Sequence, residues 1–84
     1  MEDHELVEVR FDEYADDMDC EAMMLFWHVA AGDTVVGGQE LCEIESVKAT
    51  SVVTSPCGGV VETILCAESA AVEPGQLLAT IRPV

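Results

Sequence analysis

The chain has 84 residues, half of them apolar, and 17 acidic residues against only Arg10, Lys48 and Arg82 give a formal net charge of −14. A chain of this length folds as one small domain, 1–84, around a single core. Its charge excludes nucleic-acid and anionic-membrane partners, whose affinity rests on Lys and Arg replacing counterions, and leaves partners with basic surfaces.

Taken in chain order, Val7, Val9 and Phe11 alternate as a short strand. Residues 12–21 follow as an exposed acidic loop containing Asp16 and Asp17; ten of the 17 acids lie in the first 21 residues. A single helical turn within 16–23 is the only helix that the pattern leaves room for. Met23 and Met24 are expected to split between surface and core, Trp27 to anchor the core or its edge, and His28 to lie on a strand surface. Turn signals then recur at strand spacing: Ala31-Gly32-Asp33, Gly37-Gly38-Gln39, Ser46-Val47-Lys48, Ser55-Pro56-Cys57-Gly58-Gly59 and Glu73-Pro74-Gly75. The apolar runs between them are too short for helices, so the domain is all-β.

A shift of 37 residues superposes Val35 on Val72, Gly38 on Gly75, Gln39 on Gln76, Leu41 on Leu78 and Ile44 on Ile81. Two copies of one loop-turn-strand unit, each with too little core to stand alone, are expected to pack on each other as two sheets about 10 Å apart. The result is a flattened barrel or sandwich with pseudo-two-fold symmetry, carrying Lys48 at one end and both termini near the other.

Cys20, Cys42, Cys57 and Cys66 are separated by 22, 15 and 9 residues, with no Cys-x-x-Cys pair and no histidine at a ligand spacing. They are read as reduced thiols acting as small hydrophobes, Cys57 being the one exposed to oxidation, and no metal site is expected. The N-terminus has neither the basic nor the apolar segment of a secretion signal, and no apolar run approaches the roughly 18 residues of a membrane span.

Lys48 is the only lysine. Strand-forming residues 40–45 and 50–54 flank it, which places Val47 and Lys48 at the tip of a hairpin, in the two central positions of a type I turn. Glu40, Glu43 and Glu45 nearby favour the ammonium form. A nucleophilic lysine needs the opposite influence, so Lys48 suits a side chain that is acylated by another enzyme, and no catalytic residues are assigned.

Trp27, Gly32-Asp33-x-Val35, Gly38-x-x-Leu41, Glu45-Ser46-Val47-Lys48-Ala49, Ser55-Pro56, Gly59-x-Val61, Val72, Gly75-x-x-Leu78 and Ile81 together resemble the lipoyl and biotinyl carrier domains. The resemblance runs over 24–81. It implies a flattened barrel of two four-stranded antiparallel sheets and a modified lysine, Lys48, on a hairpin tip. Biotinyl domains usually place methionine on both sides of the lysine, where this chain has Val47 and Ala49. Lipoyl domains of 2-oxo-acid dehydrogenase complexes usually read Glu-Thr-Asp-Lys-Ala, and Glu-Ser-Val-Lys-Ala is typical of the glycine-cleavage lipoyl carrier. The resemblance therefore implies covalent lipoate on Lys48, with biotin as the alternative. Gly32, Glu45 and Gly59, with Ser46, Val47 and Ala49, would be read by a lipoate ligase or lipoyl transferase. Further implied partners are 2-oxo-acid dehydrogenase or glycine-cleavage component enzymes and dihydrolipoamide dehydrogenase, in a bacterial cytoplasm or, after processing, a mitochondrial matrix. Glu43, Glu45, Glu62, Asp16 and Asp17 are candidates for the partner surface. The competing readings are a biotin carboxyl carrier and an unmodified β-barrel interaction module.

Overall fold

The computed structural model describes residues 5–11, 22–46 and 49–84. Among these there is no helix, and the strands are β1 (Val7–Arg10), β2 (Ala22–Trp27), β3 (Thr34–Val35), β4 (Glu40–Ser46), β5 (Thr50–Thr54), β6 (Gly59–Ile64), β7 (Ala71–Val72) and β8 (Leu77–Pro83). They form two four-stranded antiparallel sheets, ordered β1-β8-β6-β3 and β5-β4-β2-β7. The sheets are not closed into a barrel and stack as a flattened sandwich, so the all-β, two-sheet expectation is borne out. The acidic loop 12–21 lies outside the described residues. Of the segment considered for a helical turn, Ala22 and Met23 are strand.

Replacing β1, β8, β6 and β3 by β5, β4, β2 and β7 converts one strand order into the other, which is the pseudo-two-fold in topological form. The sheets are not the two sequence copies, however. Each sheet pairs the two long strands of one copy with the two-residue strand of the other, so that β3 joins β6 and β7 joins β2. The exchange lets each copy hydrogen-bond across the sandwich, and neither forms a sheet by itself.

The 37-residue register holds at the level of single hydrogen bonds. His28 N–H donates to Leu41 O and Leu65 N–H to Leu78 O, both at 2.8 Å. Val36 N–H donates to Gln39 Oε1 at 3.0 Å, and Glu73 N–H to Gln76 Oε1 at 2.8 Å. Gly32 N–H reaches Val61 O at 2.8 Å, and its counterpart Ser69 reaches Met24 O at 2.7 Å. Both turn residues take positive φ, +97° for Gly32 and +76° for Ser69. A side chain in that conformation is strained by roughly 1–2 kcal/mol. Ser69→Gly is therefore expected to raise stability by about 0.5–1 kcal/mol in urea unfolding; an unchanged or lower midpoint would contradict a strained turn.

The core repeats the same symmetry. Met24, Cys42, Ile44, Cys66, Val72 and Leu78 form one buried cluster, and their counterparts Val61, Ala79, Ile81, Val29, Val35 and Leu41 belong to the other. Trp27 is half-buried and packs against both, with Nε1–H donating to Cys66 O at 2.7 Å. It is the core-edge anchor expected from sequence. Met24 is fully buried while Met23 is exposed, as strand alternation requires.

Cys42 and Cys66 share one cluster, where the symmetric positions hold Ala79 and Val29. Burial, then the nearby Cys66, push the Cys42 thiol from 9.0 up to about 12, and burial also raises Cys66. Between these limits the unfolded chain gives up the Cys42 proton and the native chain keeps it, so stability falls as pH rises. The slope from Cys42 alone approaches about 1.4 kcal/mol per pH unit. Urea unfolding at about pH 8 and about pH 10.5 is expected to show this loss, reduced in Cys42→Ala, whose smaller side chain already fits the symmetric site. Equal losses in both proteins would contradict a protonated buried thiol.

Candidate functional site

The hairpin that carries Lys48 is built by β4 and β5. Glu45 pairs with Thr50, Ile44 with Ser51 and Glu43 with Val52. The hairpin closes at Ser46 and Ala49, where Ser46 N–H donates to Ala49 O at 2.8 Å. Ser46 Oγ–H also reaches Ala49 O at 3.0 Å, and Ala49 N–H approaches Ser46 Oγ at 3.3 Å. Ser46 thus satisfies backbone groups at the mouth of the turn, which an apolar residue could not do. Val47 and Lys48, the two residues between, lie outside the described residues. The base of the hairpin is anchored because Leu41, Cys42 and Ile44 are buried, while Glu45, Ala49 and Thr50 are exposed.

A bulge between Glu40 and Cys42 buries two consecutive residues and turns Glu40 and Glu43 onto the same outer face. A second bulge, between Met24 and Phe26, brings His28 out beside them. His28 Nε2 lies 2.8 Å from Glu43 Oε2, and ligand atoms of His28, Glu40 and Glu43 all fall within 4.8 Å of one another. Sequence spacing gave no hint of this cluster, because a regular strand points residues three apart to opposite faces. The His28–Glu43 pair ties β2 to β4 on the solvent side, where a pair of this exposure contributes little to stability.

Glu45 and Glu43 lie on this outer face, beside exposed Met23 and Phe26. Glu62 does not: it is on β6 in the other sheet, where Arg82 Nε lies 3.2 Å from its Oε1. Gly32 and Gly59 are not brought to the hairpin either. Gly59 opens β6 opposite Val35 and Pro83, and Gly32 caps the turn that bonds to Val61. Both belong to the part of the fold where β4 begins, while Lys48 follows its end. Asp16 and Asp17 lie outside the described residues.

The chain has relatives among known proteins. The family model Biotin_lipoyl, described as "Biotin-requiring enzyme", matches residues 8–81, from β1 through β8. The chain belongs to the biotinyl/lipoyl carrier-domain family. Its relatives include the dihydrolipoyllysine-residue succinyltransferase component of the mitochondrial 2-oxoglutarate dehydrogenase complex of Homo sapiens, 43% identical over 56 residues, covering 67% of this chain and 12% of that protein. The Mus musculus protein is 39% identical over the same length, with the same coverage. The biotin carboxyl carrier protein of acetyl-CoA carboxylase from Streptococcus pyogenes serotype M6 is 44% identical over 54 residues, 64% of this chain and 32% of that protein. The chain thus spans about an eighth of the succinyltransferases' length. As a biotinyl/lipoyl carrier domain it presents an attachment site and is not itself a catalytic unit. Among the described residues no helix is long and apolar enough to cross a membrane.

Proposed function

We propose that Lys48 bears lipoate through an amide, and that this domain is the mobile carrier of a 2-oxo acid dehydrogenase complex. The observation that carries the reading is the hairpin mouth: Ser46 and Ala49 bond to each other and leave a two-residue connection that contains the only lysine. A covalent arm needs access and a firm base rather than a pocket, and the exposed neighbours Glu45, Ala49 and Thr50 above a buried Leu41, Cys42 and Ile44 fit that requirement. Small side chains at Ser46 and Ala49 leave room for a modifying enzyme to close around the lysine. Recognition by a lipoate ligase or lipoyl transferase then rests on Glu45, Ser46, Val47 and Ala49, while Gly32 and Gly59 act through the backbone they permit.

When attached, the lipoyl group supplies redox and acyl-transfer chemistry, the chemistry of the cofactor and partner enzymes. The domain supplies tethering, which raises the arm's concentration at successive active sites. The similarity to succinyltransferase components favours enzymes of a 2-oxo acid dehydrogenase complex, with dihydrolipoamide dehydrogenase reoxidising the arm. Free Cys42, Cys57 and Cys66 suit a reducing compartment, a mitochondrial matrix or a bacterial cytoplasm. The similarity to a biotin carboxyl carrier sustains one second reading, biotin on the same lysine. The lipoylated domain is expected to be reductively succinylated by a thiamine-dependent 2-oxoglutarate dehydrogenase component, read as a substrate-dependent mass increase. Lipoylated protein that stays unacylated with this and with other 2-oxo acid dehydrogenases would remove the dehydrogenase assignment and point to a glycine-cleavage type of partner.

A further inference from the structure

β5 is an edge strand unlike the other three edges of the sandwich. Among the described residues it pairs only with β4. β3 and β7 are two residues long, and β1 carries Glu8 and Arg10 with a register shift before its last residue. β5 has five residues, Thr50-Ser51-Val52-Val53-Thr54, and lies in a run of 13 uncharged residues, 49–61, within a chain of net charge −14. Edge strands usually carry charge, proline or a bulge that discourages further pairing; β5 carries no charge or proline, and the bulge in its ladder lies on β4.

The backbone groups of β5 that find no partner among the described residues follow from the hairpin register. The Ser46–Ala49 hydrogen bond makes the pairs Ile44–Ser51 and Cys42–Val53 the bonded ones, and Ser55 bonds at the far end to Gln39. In an antiparallel ladder the alternate residues Thr50, Val52 and Thr54 therefore turn their N–H and C=O groups away from β4. Those three residues stand opposite Glu45, Glu43 and Glu40. A strand added to β5 would lie about 10 Å from β4, two strand spacings away. Long basic side chains on such a strand could cross the short Thr50-Val52-Thr54 row and reach the glutamate row behind it.

We propose that the β5 edge is a docking site for an extended partner segment with Lys or Arg at alternate positions, bound by strand addition. The proposal rests on the carrier reading in that the partner is an enzyme acting on Lys48, two residues before β5. A second copy of the chain is disfavoured as the occupant, since it would bring two rows of glutamates together between two molecules of charge −14. Backbone bonds to Thr50, Val52 and Thr54 give affinity, and the glutamate row gives the charge preference.

The test uses the whole domain and a capped peptide of three lysine-valine repeats, followed by amide NMR. The peptide is expected to shift and slow the exchange of the Thr50, Val52 and Thr54 amides, to bind more weakly as salt rises, and to lose binding when its lysines become glutamates. Val52→Pro removes an outward N–H without touching the β4 ladder and is expected to weaken binding by about tenfold or more. Thr50→Lys combined with Thr54→Lys is a second variant with an intact backbone and the same expected loss. Unchanged affinity in both variants, shifts confined to another surface, equal binding of the acidic peptide, or self-association through β5 would each overturn the proposal. Lipoylation of Lys48 is measured separately in every variant. Lost peptide binding with attachment retained supports strand docking, whereas an absent adduct in the unaltered chain strikes at the carrier reading.

Discussion

Gly59→Val is expected to remove about 3 kcal/mol or more of the chain's stability. A Cβ at position 59 would overlap the Arg82 carbonyl oxygen and come within 2.9 Å of both Ile81 Cγ2 and Pro83 Cα. Two of these atoms are backbone of β8, so no rotamer change can clear them. The alternative is to part β6 from β8, which are paired from Gly59–Pro83 to Ile64–Ala79 and hold fully buried Val61 and Ile81 between the sheets. Overpacking with lost ladder bonds costs about 3 kcal/mol or more. A domain of this size has only about 4–13 kcal/mol in total. Far-UV circular dichroism and urea unfolding check the outcome; a cooperative transition within about 1 kcal/mol of the unaltered protein would contradict it.

The contrast with Gly32 gives that result its functional meaning. Gly32 needs its positive φ, yet nothing lies within 4 Å of a Cβ there. Gly32→Ala should therefore cost only the roughly 1–2 kcal/mol of a left-handed backbone and leave the fold intact. Both glycines were read from the family pattern as features that a lipoylating enzyme recognises. Their positions in the fold give each a sufficient structural reason, in one case contact and in the other conformation.

Much of the architecture was legible because it is written twice. Five identities at a spacing of 37 marked the symmetric turns and strands, and the turn signals around Gly38 and Gly75 marked where they start. The equivalence of Ser69 with Gly32 was hidden, since the repeat there is one of φ and hydrogen bonding and not of residue type. The exchange of β3 and β7 between sheets was also out of reach. A two-residue strand has no periodicity, and only tertiary contact decides which sheet receives it.

At the candidate site, the hairpin was legible because the strand-forming runs 40–45 and 50–54 flank a short connection, and Ser46 and Ala49 close it as that pattern requires. The pairing of His28 with Glu43 was not, since it depends on two bulges that shift strand register without leaving a mark on composition. The sheet that carries Glu62, a candidate for the partner surface, was out of reach for a similar reason. Sequence proximity to Ser55–Gly59 does not say which sheet β6 joins, and it joins the one opposite β4.

Replacement of Lys48 by Arg should abolish attachment while leaving the fold unchanged. Arg preserves the positive charge at the hairpin, but its guanidinium stays protonated and cannot serve as the acylated amine. No other side chain can substitute, because Lys48 is the only lysine in the chain. The most direct measurement is the intact mass of the domain and of Lys48→Arg after parallel incubation with a lipoate ligase and a biotin ligase, each shown to be active on a known substrate. One lipoyl adduct on the unaltered chain, absent from Lys48→Arg, is the predicted result. A biotinyl adduct in its place would contradict the choice of cofactor, and no adduct from either ligase would contradict the carrier function itself.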